Sequence, residues 1–337
     1  MSGMAGPATS LPGPQAAAED HPRRITTRVS GADLVFRSGV RLAGLLVLAI
    51  TGLIAAFLIA RASGTLSATG WRFLTNFQWV LNSSHLGVGA ILPDTIIIAL
   101  IALIIAVPVA LATAIFISEY APPGLRRAMI ALIDLMAAIP SILYGIWGFF
   151  WLMPRFIGTA RWISDHLGFI PFLRVSGTYQ PGNFENSTLL AGVVVSLMII
   201  PIVASISREV FSQAPRGERE AAYALGSTRW GMIRTVVLPY GRGGVIGAVM
   251  LGFGRAMGET IVVALIISQV FTIVTHQLKS GGNSIAALIA QDAGESSPAM
   301  ISALIAAGLV LFVVTLIVNA IAAVIVSRSR SGLQTAD

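Results

Sequence analysis

Five runs of the chain, 42–60, 95–118, 135–154, 186–207 and 296–327, pass without one charged side chain. A bilayer core of ~30 Å is crossed by about twenty apolar residues in a helix, which pairs its own backbone N–H and C=O groups where no water can. A sixth run, 243–275, is interrupted only by Arg255 and Glu259. Composition excludes reading these runs as buried helices of a soluble domain: 55% of the residues are hydrophobic and 11% charged, against roughly 25% charged in soluble domains. The expected fold class is an all-α integral membrane protein with six transmembrane helices.

The basic residues between the runs set the orientation, because they accumulate on the cytosolic side. Arg23, Arg24, Arg28, Arg37 and Arg41 precede the first run, Arg126 and Arg127 follow the second, Arg208 to Arg242 hold six between the fourth and sixth, and Arg328 and Arg330 end the last. The opposite side holds Arg61, Arg72, Arg155, Arg161, Arg174 and Lys279. Both termini are therefore expected in the cytosol. Residues 1–36, rich in Pro, Ala, Gly and Ser and without a cleavable leader pattern, read as a disordered cytosolic tail. Residues 37–328 read as one transmembrane domain with a cytosolic loop at 208–240, and 329–337 as a second tail.

Several chemistries are excluded. The chain has no cysteine, hence no thiolate metal site or thiol nucleophile. Its only lysine, Lys279, stands in Gln-Leu-Lys-Ser, which is no nucleotide-binding P-loop, so ATP hydrolysis would have to come from a partner. His21, His85, His166 and His276 show no metal-ligand spacing, and no metal site is expected. No catalytic set of His, Asp or Ser gathers on one membrane face, which speaks against an enzyme.

Pro93, Pro108, Pro140 and Pro201 lie in or beside spans, where each removes a backbone donor and tends to kink its helix. Kinks leave room for a path, or only shape packing. Trp71, Phe73, Phe77 and Trp79 are expected as an interfacial aromatic belt. Asp94 and Asp134, near span ends, are expected to be structural and within reach of interfacial water.

Arg255 and Glu259 need a different account. Counted from Gly243, Arg255 lies near mid-bilayer, ~18 Å along at ~1.5 Å per residue, and facing lipid there would cost at least ~2.5–3.5 kcal/mol. The spacing of four would place both on one helical face, directed at protein or at a water-filled path. Arginine suits a phosphate-like oxyanion, because its planar fork donates two bonds and stays protonated. A self-neutralising pair that fixes helix packing fits equally well. Gly247, Gly252, Gly254 and Gly258 would allow close helix contact under either reading.

The loop at 208–240 is patterned rather than a plain linker. Ala214-Pro215 starts a helix, Glu220 to Leu225 continues it, Gly226 ends it, and Leu238-Pro239 heads the next. Mixed charge on one side and Ala221, Ala222 and Leu225 on the other suit insertion into a cleft of another protein, or an amphipathic hairpin on the membrane surface. Glu220-Ala221-Ala222, then Gly226, Val236 and Leu238-Pro239 resemble the EAA loop of ABC importer permeases, EAA-x3-G-x9-I-x-L-P, departing only in having Val236 for Ile. The run LPYGRGGVIGAVMLGFGRAMGET from Leu238 to Thr260 resembles permease subunits of bacterial phosphate ABC importers. With Ala137-Ala138-Ile139-Pro140-Ser141 and Ser284 to Ala290, the likeness is closer to the PstC type than to its PstA partner, over roughly residues 86–327.

The resemblance implies a type I ABC importer permease fold in a bacterial inner membrane. It implies that Glu220, Ala221, Ala222, Gly226, Leu238 and Pro239 couple to an ATPase, and that Arg255 and Glu259 line a phosphate path. Implied partners are a PstA-like second permease, an ATPase dimer and an extracytoplasmic phosphate-binding protein, with lipid around and no nucleic acid. ATP and Mg would be bound by the ATPase, and this chain would hold no cofactor. A permease for molybdate or sulfate, or an ATP-independent anion transporter, stays open as an alternative.

Overall fold

The computed structural model describes residues 31–80, 86–175 and 180–330. Among them the chain is helical, with only isolated β-bridges between loop residues. The helices are α1 (Gly31–Thr69), α2 (Arg72–Thr75), α3 (Ile91–Ile115), α4 (Pro123–Ala138), α5 (Ser141–Trp147), α6 (Met153–Leu167), α7 (Thr188–Ser212), α8 (Arg216–Ala224), α9 (Arg229–Met232), α10 (Leu238–Met257), α11 (Ile261–Ile266), α12 (Ile285–Asp292) and α13 (Pro298–Arg330). The chain forms two compact units, Met1–Leu53 and Ile54–Asp337. The described part of the first is the N-terminal portion of α1; the second holds the rest. Residues 31–36, expected within the N-terminal tail, belong to α1. The remainder of both expected tails, 1–30 and 331–337, lies outside the described residues.

Five helical stretches are long and apolar enough to cross a membrane: Gly31–Thr69, Ile91–Tyr120, Thr188–Ser212, Arg229–Met257 and Pro298–Ser327. The expected span at 135–154 is broken: Pro123–Ala138 and Ser141–Leu167 meet at 89°. Proline is the cause. The residue before a proline is pushed out of the helical region, and Ile139 is extended at ψ 127°, as is Pro140 at ψ 138°.

Pro108 and Pro201 lie inside α3 and α7, and two further prolines, Pro154 and Pro239, follow widened turns. Segments with π-helical bonding, Gly148–Leu152 and Ile233–Val237, come immediately before Met153-Pro154 and Leu238-Pro239. A turn of that width relieves the clash between the proline ring and the carbonyl four residues back, so the helix continues. Leu238-Pro239 therefore does not head a new helix. The helix starts at Thr228, whose hydroxyl accepts from the Gly231 amide at 3.1 Å, and runs through Pro239 to Met257.

α7 is the hub of the second unit. Leu190, Val194, Ile199, Val203 and Ala204 of α7 are fully buried, and α3 presents Ala99, Ala102, Ala106 and Ala110 with no exposed surface to the same core. Apolar contact gains little over lipid, so close approach of backbones has to supply the attraction between helices. Gly192 marks such an approach, since a Cβ there would lie 2.5 Å from Ile101 Cγ2 of α3. α10 packs against α7 through Gly241, Gly244 and Gly252, where a Cβ would meet Phe211, Val210 and Ile199 at 2.7, 2.4 and 2.8 Å. Of the four glycines expected at helix contacts, Gly252 alone serves as one. Gly247 has nothing within 4 Å and Gly254 only Asn319 at 3.9 Å.

Two expectations for the outer segments are corrected. Phe73 and Trp79 are buried with Leu86, Val88 and Ile91 rather than forming a belt, and only Trp71 and Phe77 of the four are exposed. Asp94 is completely buried, not near interfacial water, and its carboxylate accepts from the Asn283 amide at 3.3 Å. Beside it the Thr95 hydroxyl accepts from the Ile285 amide at 3.1 Å, so the start of α3 holds the start of α12. Thr95→Val should leave that buried amide without an acceptor and lower stability by about 1–3 kcal/mol, read as a lower unfolding midpoint in detergent. Asp134 is exposed, as expected.

Candidate functional site

The hairpin of α8 and α9 is built from a capped turn. α8 ends on Ala224, and the Gly226 amide bonds the Tyr223 carbonyl at 2.9 Å while Ser227 N–H reaches the Ala222 carbonyl at 3.1 Å. This double return requires a left-handed residue, and Gly226 sits at φ +81°. Thr228 then caps α9, so two short helices fold back on each other. Glu220, Ala221, Tyr223, Leu225 and Trp230 are exposed, whereas Ala222 turns inward on the cluster of Ala114, Phe211, Ala214, Met232 and Ile233. The expected apolar side is thus divided: Ala222 seats the hairpin, and Ala221 and Leu225 face outward. Leu225, 89% exposed, is the apolar tip of that outer surface.

One anchoring residue lies outside the set singled out from sequence. Arg219 Nη1 donates to both carboxylate oxygens of Glu119 at 2.9 and 3.0 Å, and Nη2 donates to the Phe211 carbonyl at 2.6 Å. The Arg229 guanidinium lies 5.2 Å from the ring centre of neighbouring Tyr120. Nothing local in either segment signals these pairings.

At the other end of α10, the expected one-face pair is not formed. α10 stops at Met257, Gly258 caps it, and Glu259 lies in the break before α11. With the helix beginning near Thr228 rather than Gly243, Arg255 falls in its last turn. Glu259 is 8% exposed and turns to the backbone of α11, meeting the amides of Thr260, Ile261 and Val262. Its charge satisfies orphan donors at a helix start. The ion pairs seen among the described residues do not join Arg255 to Glu259.

Arg255 is exposed on the wall of an open cavity of about 540 Å³ formed by α7, α10 and α13. Ile202, Met250 and Leu251 line its apolar part, and Thr315 and Asn319 of α13 bring hydroxyl and amide groups to the wall that carries the guanidinium. Thr315 and Asn319 were legible only as two polar residues four apart in an otherwise apolar span. The arrangement is one cation with hydrogen-bonding neighbours on an otherwise apolar surface, able to receive an oxyanion. Glu259 accepts from the Val262 amide at 3.5 Å and forms no ion pair with that guanidinium among the described residues, although the Arg255 charge acts on its carboxylate.

The family described as binding-protein-dependent transport system inner membrane component matches residues 106–331. The phosphate transport system permease protein PstC 2 of Mycobacterium tuberculosis is 41% identical over 302 residues, covering 88% of this chain and 93% of that protein. The phosphate transport system permease protein PstC of Xylella fastidiosa (strain 9a5c) is 42% identical over 295 residues, with 83% and 89% covered. The fold is shared with the crystal structure of a bacterial ABC transporter involved in the import of the acidic polysaccharide alginate, at TM-score 0.50 and 17% identity over 87% of this chain and 98% of that one. On this evidence the chain belongs to the binding-protein-dependent transport system inner membrane component family and, within it, to the PstC-type permeases.

Proposed function

We propose that this chain is a permease subunit of an ATP-driven phosphate importer, contributing one wall of the translocation path. The observation that carries this is its 41% identity over 302 residues to a phosphate transport system permease, and the exposed guanidinium of Arg255 on an open cavity wall is consistent with it. The chain itself makes and breaks no covalent bond. A second, PstA-like permease would close the cavity, an extracytoplasmic phosphate-binding protein would deliver the anion, and an ATPase dimer would bind ATP and Mg and dock on the Glu220–Gly226 hairpin. Both termini would lie in the cytosol of a bacterial cell, with the chain in its inner membrane.

In this reading Arg255 attracts the anion and orients it by two parallel N–H···O bonds. Glu259 contributes indirectly, by fixing the break between α10 and α11. ATP-dependent phosphate uptake by the complex in liposomes tests the substrate; equal competition by molybdate or sulfate, or uptake without ATP, would overturn it. Docking is tested by single cysteines placed at residues 216–230, which would be the only ones in a chain that has none. Crosslinks from Glu220, Leu225 and Trp230 positions to an ATPase subunit are expected, and their absence rejects the docking role.

A further inference from the structure

The second arm of the docking hairpin buries Met232 and leads into α10, but the α8 arm packs on that cluster only through the partly buried Ala222, a side chain too small to transmit much by packing. The stronger tie is the Arg219 guanidinium. It makes two bonds to Glu119, in the widened turn Phe116–Tyr120 that ends α3, and one to Phe211, in the last turn of α7. The Glu119 side chain is 5% exposed and that of Arg219 20%, so water competes little for these bonds. Arg219 immediately precedes Glu220, and the two point oppositely, Arg219 toward the membrane helices and Glu220 to the outside. Tyr120, next to Glu119, lies under Arg229 at the head of α9, so both arms of the hairpin attach to the end of α3.

We infer that Arg219 is a positioning residue that carries displacement of the docked hairpin into α3 and α7, through its fork on Glu119 and its bond to the Phe211 carbonyl. This rests on the docking role proposed above for the same hairpin. Directional, charge-assisted bonds resist both sliding and rotation, which the shallow contact of an alanine does not. α3 and α7 pack closely at Gly192, where a Cβ would lie 2.5 Å from Ile101 Cγ2. Movement at their cytosolic ends is therefore passed along their length to α10, which packs on α7 and carries Arg255.

The test uses the complete transporter in liposomes, with Glu119→Gln and Arg219→Lys, reading phosphate uptake and ATP hydrolysis together. Glu119→Gln should lower maximal uptake roughly tenfold, the weight of one charge-assisted hydrogen bond. The half-saturating phosphate concentration and the bound ATPase should be unchanged, so ATP hydrolysed per phosphate rises by a similar factor. Arg219→Lys, which keeps the charge and loses the fork, should also uncouple. An unchanged ATP-to-phosphate ratio in both variants overturns the inference, as does loss of the ATPase from the purified complexes, which marks a merely structural role. A second arm places cysteines at both positions of this cysteine-free chain and joins them with a short bifunctional thiol reagent. Uptake and coupling should return on crosslinking; a linked protein that stays uncoupled overturns the inference. A wild-type chain that fails to retain the ATPase overturns the docking role itself, which separates the two failures.

Discussion

Arg255→Ala will abolish phosphate uptake while the complex still assembles. Arg255 is exposed on the cavity wall and pairs with no carboxylate among the described ion pairs, so its removal breaks no ion pair there. What is lost, under the proposed function, is the anion's partner. Each charge-assisted hydrogen bond is worth about 1.5–3 kcal/mol, and losing a bidentate contact compounds to at least roughly a hundredfold. Arg255→Lys should fall between, since it keeps the charge without the planar fork. Wild-type uptake by the alanine variant removes Arg255 from the path. Glu259→Gln should behave differently: an amide oxygen still accepts from the α11 backbone, so transport falls less than for Arg255→Ala, whereas a common path role for the two would make both losses equal.

Gly244→Leu will prevent a stable fold rather than impair a step. A Cβ alone at Gly244 would lie 2.4 Å from Cγ2 and 3.1 Å from Cβ of Val210, and valine cannot swing its branch point aside as a long side chain swings its tip. The α7–α10 contact must open, separating the helix that carries Arg255 from the hub. Overpacking of a tight interface costs about 1–3 kcal/mol and more where backbones must part, so monodisperse protein in detergent should be lost. Gly247→Leu is the control, with open space at its Cβ position, and should be purified like wild type. Equal yields for the two variants would show that this seam does not hold the helices.

Much of the fold was readable because it depends on short-range rules. The bilayer imposes a span length, so charge-free runs located the helices, and Gly226 marked the hairpin turn because few other residues accept φ +81°. The family spacing around Glu220 likewise lies within one continuous stretch. Misreadings occurred where a neighbour along the chain was not the neighbour in space. Leu238-Pro239 looked like a helix start, but a widened turn before it absorbs the missing donor and the helix passes through. Phe73 and Trp79 have the composition of an interfacial belt, yet they pack on Leu86 and Val88 instead.

The candidate site divides in the same way. Arg255 stood out from sequence alone, because an arginine within an apolar run demands a partner or water wherever it points. The role of Glu259 did not follow from its spacing of four, since that spacing assumes an unbroken helix, and the break at Gly258 turns its carboxylate onto α11. Thr315 and Asn319 became part of the wall only when α13 packed beside α10. The Arg219–Glu119 fork joins residues 100 positions apart. Hydropathy, proline and glycine act over a few bonds and so determined the spans, the hairpin and the family from sequence by itself. Which faces of those helices meet, and hence which charges are held and which is exposed on the cavity wall, was decided by packing between distant segments, because helix rotation and register are set by shape across the packed helices.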